Sequence, residues 1–123
     1  MSDVDGTLAW LERYFGTLGV DADPARTAGD ARSASVRAEP AVLEIRGHAA
    51  PGRSRILPSF QRIGSWHLCL DVPDPAALHA DMAAAGEEIV LPLSAPDRGL
   101  YRGRSHFFSR DPDGVLVQVR ALA

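Results

Sequence analysis

Ser105-His-Phe-Phe-Ser-Arg-Asp-Pro-Asp-Gly-Val-Leu-Val-Gln-Val-Arg120 reads as strand, turn and strand. Pro112 presets φ for the second turn position, Asp111 can bond the backbone ahead of it, and Gly114 suits a left-handed exit. The apolar and β-branched runs on either side predict a hairpin. Past the turn, Val115, Val117 and Val119 share one face, and Leu116, Gln118 and Arg120 share the other. The valine face calls for a core. The opposite face sets an amide and a guanidinium side by side, as a small-molecule site requires.

Working back from the hairpin, Ser65 to Val72 reads as a strand. Trp66, Leu68, Leu70 and Val72 lie on one face; Ser65, His67, Cys69 and Asp71 lie on the other. Asp74 before Pro75 is a helix start, a capping side chain followed by proline at the first helical position. Leu78, Met82 and Ala85 form that helix's buried stripe, and Gly86 ends it. A short strand, Glu88 to Leu91, leads into a long loop from Pro92 to Gly103 that carries Tyr101; loops of this length often bind ligands. His48 to Ile63, rich in Pro, Gly, Arg and Ser, is a linker that divides the chain.

The first half repeats the pattern. Thr7 to Leu18 reads as a helix with Leu8, Leu11, Phe15 and Leu18 in one stripe, Asp5 or Thr7 as its cap and Gly19 at its end. Val20 to Asp30 is an edge strand with loops. Ser33 to Ala38 is a short strand, Glu39-Pro40 a turn, and Ala41 to Gly47 a strand with Leu43 and Ile45 on one side and Val42, Glu44 and Arg46 on the other. Val42-Leu43-Glu44-Ile45-Arg46 aligns with Leu116-Val117-Gln118-Val119-Arg120. The second half has a strand before its helix, carrying His67. The equivalent strand of the first half would fall before Met1, so an unpaired sheet edge and a homodimer are expected.

At 123 residues one domain is expected. The net charge is −3 and the 13 basic residues are all arginine, scattered without a run. That excludes a nucleic-acid stripe and a polybasic membrane patch. Cys69 is the single cysteine, which predicts no internal disulfide and a cytoplasmic protein. No apolar run approaches the ~20 residues a membrane span needs, and the acidic start is no signal peptide.

Three motifs carry a resemblance to a known family: Gly64-Ser-Trp-His-Leu-Cys-Leu-Asp-Val72, Asp74-Pro-Ala-Ala-Leu-His-Ala-Asp-Met-Ala-Ala-Ala-Gly86 and Phe108-Ser-Arg-Asp-Pro-Asp-Gly-Val-Leu-Val-Gln118. They resemble the vicinal oxygen chelate superfamily, which comprises glyoxalases, bleomycin-resistance proteins and dioxygenases. The resemblance implies an α+β fold of paired βαβββ modules, 1–58 and 59–123, whose curved mixed sheets form a cleft, here without the first strand of module one. It implies a divalent metal (Zn, Ni, Mn or Fe) on inward strand positions, which match Glu44, His67 and Gln118. It also implies a small-molecule ligand, and either isomerase, epimerase or lyase chemistry on a carbonyl compound or non-catalytic sequestration of a drug or natural product.

The residues themselves point to the same positions. Glu44, His67 and Gln118 each lie opposite an apolar stripe, and a carboxylate, an imidazole and an amide could together hold such a metal. Glu44 and His67 are the candidate catalytic groups, Glu44 as a general base beside a carbonyl. His106, Phe108, Tyr101, Arg46, Arg120 and Cys69 are candidate cleft residues. His48 and His79 are expected on the surface.

Overall fold

Asp3 starts the first helix, α1 (Val4–Phe15): its carboxylate accepts from the Gly6 amide at 2.8 Å. The helix therefore begins three residues before the expected Thr7, and neither Asp5 nor Thr7 is the cap. Asp5 is instead held by two hydrogen bonds from Arg32, at 2.8 and 2.9 Å, and Thr7 is buried. The earlier start widens the stripe. Val4, Thr7, Trp10, Leu11, Tyr14 and Phe15 are buried, while the expected Leu18 is 43% exposed on the single 3₁₀ turn Gly16–Leu18 that follows. Gly19, at φ +92°, ends that turn in the left-handed region where a Cβ is costly.

Coordinates describe residues 3–48, 67–99 and 102–122 in this computed structural model. Trp66, Tyr101 and nearly all of the linker lie outside the described residues. The chain divides into two units, Met1–Ile56 and Leu57–Ala123.

In the first unit β1 (Val20–Ala22), β2 (Arg26–Ala28), β3 (Ala31–Ala38) and β4 (Ala41–His48) form one antiparallel sheet. β1 and β2 pair with opposite ends of β3 along one edge, and β4 pairs with the whole of its other edge. Pro24 lies between the two edge strands, as an edge position tolerates. The outer edge of β4 has no partner strand among the described residues. Directly opposed residues share a face. Thus Ala34, Val36, Leu43 and Ile45 form the inner face, with Val36 only 1% exposed, and Ser33, Ser35, Glu44 and Arg46 form the other.

The second unit runs β5 (Leu68–Val72), α2 (Pro75–Ala84), β6 (Ile89–Ser94), β7 (His106–Arg110) and β8 (Leu116–Ala121). Its sheet order is β5-β8-β7-β6, with β5 parallel to β8 and the remaining pairs antiparallel. This is one complete βαβββ module. Asp74 caps α2 from the Ala77 amide at 3.1 Å, with Pro75 in the first turn, as the sequence predicts. Leu78 and Met82 are buried, whereas Ala85 lies past the helix and is exposed. The hairpin also forms as expected: Gly114 donates to the Asp111 carbonyl at 3.0 Å and takes φ +87°.

Val72, Met82, Phe107, Val117 and Val119 make the unit's dry core, each 2% exposed or less. Each such side chain contributes about 1.5–3 kcal/mol relative to an exposed one. His79 belongs to this side rather than to the surface. Its ring meets Phe107 edge-on at 5.1 Å, and its Nε2 is buried without a hydrogen-bond partner.

Candidate functional site

The polar face of the second unit follows from strand register. Cys69 opposes Gln118 and Asp71 opposes Arg120 across the parallel pair; Phe108 opposes Gln118 and His106 opposes Arg120 across the antiparallel pair. Opposed residues point the same way, so these six side chains leave one face of the sheet. His67, one residue before β5, joins them.

His67 and Gln118 meet there, with His67 Nε2 and Gln118 Oε1 3.1 Å apart. An amide oxygen only accepts, so His67 Nε2 carries the proton and its lone pair is on Nδ1. Phe108, 6% exposed, is the wall between two imidazoles: His67 meets it edge-on at 5.3 Å and His106 at 5.9 Å. Gln118 itself is only 3% exposed, and among the described residues its amide nitrogen makes no hydrogen bond. His67 Nδ1 makes none among them either. The pair therefore presents one open donor and one open acceptor.

Beyond Gln118 the face becomes charged. Arg120 grips Asp71 through two hydrogen bonds, at 2.6 and 3.1 Å. Arg104 approaches the same carboxylate at 3.6 Å and donates twice to the Ala121 carbonyl, at 3.2 and 2.6 Å. Cys69, a free thiol beside this cluster, is pushed above the usual thiol range, chiefly by burial. Arg120 and Arg104 pull against that shift and Asp71 adds to it.

In the first unit Glu44 sits on the polar face of β4 and pairs with Arg46 at 2.7 Å, both side chains more than half exposed. A cavity of about 290 Å³ opens beside it, lined by Asp23, Pro24, Arg26, Ser33, Ala34, Ser35 and Glu44. A larger cavity, about 650 Å³, lies at the junction of α1 and β1 and contains none of the candidate residues.

Among the described residues no three or more His, Cys, Asp or Glu side chains converge as a metal site. His67 Nε2 and Gln118 Oε1 could share an ion only if it took the place of the Nε2 proton, with His67 in its Nδ1-protonated form. Their 3.1 Å separation is that of two adjacent ligand atoms each about 2.1 Å from one metal.

The structure thus brings His67, Gln118, Phe108, His106, Arg120 and Cys69 to one face, and sets Glu44 and Arg46 on the equivalent face of the other unit. Tyr101 lies outside the described residues. Sequence reasoning overlooked Arg104, Ser33 and Ser35. The serines were findable, since they alternate with Ala34 and Val36. Arg104 carried no signal, because it sits in a loop and reaches the face only through the Ala121 carbonyl.

A family model described as "Glyoxalase/Bleomycin resistance protein/Dioxygenase superfamily" matches residues 1–119. Among solved structures, a glyoxalase I variant from Zea mays is similar with a TM-score of 0.74 and 18% identity, over 98% of this chain and 42% of that one. A genomically encoded fosfomycin resistance protein, FosX, from Listeria monocytogenes gives 0.69 and 14%, over 100% and 87%. SMU.1112c gives 0.68 and 23%, over 98% and 91%. At these identities the likeness is one of fold. No curated protein matches the chain.

Proposed function

The chain belongs to the glyoxalase/bleomycin resistance protein/dioxygenase superfamily, and from that premise we propose that it is an enzyme that moves a proton next to the carbonyl of a small molecule. The carrying observation is the His67–Gln118 pair, with an open amide donor and an open imidazole acceptor on one sheet face. Gln118 donates from its amide nitrogen to the substrate's carbonyl oxygen. His67 Nδ1 takes the adjacent C–H proton as the C–H electrons form the enolate. The resulting imidazolium returns the proton to a different face or atom, which gives an epimerase or isomerase; expulsion of a β-substituent instead gives a lyase. Phe108 keeps water from one side of the imidazole. Glu44, on the polar face of the other unit, is proposed as a general base in its own right.

A divalent ion (Zn, Ni, Mn or Fe) is the alternative occupant of this pair: His67 Nε2 and Gln118 Oε1 would hold it in place of the proton between them, and it would supply Lewis-acid polarisation of the carbonyl oxygen. We further propose a homodimer, on the strength of the outer edge of β4, which has no partner strand among the described residues.

The test is wash-in of deuterium from D₂O at the α-carbon of pyruvate, butanone and dihydroxyacetone, followed by proton NMR. Exchange above buffer background is expected, with a loss of about 10²-fold or more in His67→Ala. Saturable binding without exchange would replace the enzyme by a sequestering protein. Support for that second reading comes from Glu44, whose carboxylate is already engaged by Arg46. Metal analysis of wild type and His67→Ala reports separately on the ion.

A further inference from the structure

Two guanidiniums share one carboxylate on the polar face of the second unit. Arg120 is bound to both oxygens of Asp71, and Arg104 lies 3.6 Å from one of them. Their side chains are only 20% and 23% exposed. Arg104 is partly withdrawn from water with only a long, 3.6 Å contact to a carboxylate, a costly arrangement that an incoming anion relieves. The cluster is also preorganised. The Ala121 carbonyl holds Arg104 by Nε and Nη2, which leaves its Nη1 amino group without a hydrogen bond. Asp71 holds Arg120.

Position decides what such an anion would be attached to. Arg120 follows Gln118 by two residues on β8, so their side chains leave the same face roughly 6.6 Å apart. Cys69 and Asp71 repeat that spacing on β5, directly opposite. A molecule with its carbonyl at Gln118 and its tail along the strand would end at the two arginines.

We propose that Arg104 and Arg120 form an anion subsite, and that the substrate is an oxo acid whose carboxylate docks there while its carbonyl meets Gln118 and His67. The carbonyl half of this statement rests on the function proposed above; the anion half does not. A guanidinium's planar fork matches a carboxylate. Three methylenes between ketone and carboxylate span the distance, so 5-oxohexanoate is the probe.

Isothermal titration calorimetry is run with 5-oxohexanoate, its methyl ester and hexanoate, on wild type, Arg104→Ala, Arg104→Lys and His67→Ala. The acid is expected to bind roughly tenfold or more tightly than the ester, to lose roughly that factor in Arg104→Ala, and to recover part of it in Arg104→Lys. The lysine variant separates lost charge from damaged structure. Equal binding of acid and ester, unchanged binding in Arg104→Ala, or no binding of either anion overturns the subsite. Hexanoate binding as tightly as 5-oxohexanoate, with no effect of His67→Ala, removes the carbonyl site and leaves the anion subsite standing.

Discussion

Asp111 performs three tasks at one turn. Its Oδ1 accepts from the Asp113 and Val115 amides at 2.9 and 2.8 Å, its carbonyl accepts from Gly114, and its own amide donates to Val115. It is only 7% exposed, so removing the carboxylate strands two amides away from water. Asp111→Ala should cost about 1–3 kcal/mol, read as a lower urea midpoint with an unchanged slope. Cys69 provides a second residue-level expectation. Its thiol pKa is raised by burial in the folded state, so its contribution to stability is present below the ordinary thiol value and is lost as pH rises through the folded value. Native protein should resist iodoacetamide at neutral pH and react only above the usual thiol range, whereas urea-unfolded protein should react at the usual one. Equal rates in both states would contradict the burial.

At the level of elements, local chemistry and tertiary contacts shared the decisions unevenly. α2 was legible because its start is written in adjacent residues: Asp74 caps and Pro75 follows. α1 was misplaced because two aspartates competed for its cap. Arg32, twenty-seven residues away, captures Asp5 through Nε and Nη2, which leaves Asp3 to cap the helix, brings Trp10 and Tyr14 inward and leaves Leu18 outside. The Arg32 pairing holds the Asp5 carboxyl below the usual carboxylate range. The strand faces were legible from alternation alone. Glu44 and Arg46 are a same-face pair that needs only a strand to meet, whereas His67 and Gln118 meet only because β5 lies parallel to β8 in one register.

For the whole molecule, the second unit closes a complete βαβββ module, while the first has no strand before α1 among the described residues. The outer edge of β4 has no partner strand among the described residues, and Val42 on that strand is 67% exposed. Exposed edges pair with other chains unless blunted. Light scattering on the purified protein should report a dimer, and a monodisperse monomer across micromolar concentrations would remove that expectation. No helix among the described residues is long and apolar enough to cross a membrane.

What the amino-acid order determined by itself was everything that depends on near neighbours: turn chemistry at Asp111–Gly114, the capped start of α2, and the alternation that put Glu44, His67 and Gln118 opposite their apolar stripes. These follow from backbone dihedrals and a two-residue repeat, which act over a few bonds. Tertiary structure alone decided which aspartate caps α1, that His79 lies against Phe107, that His67 donates to Gln118, and that Arg104 joins Arg120 at Asp71. Each of those depends on strand register or on a side chain arriving from distant sequence, and such contacts are selected by the packing of the whole sheet.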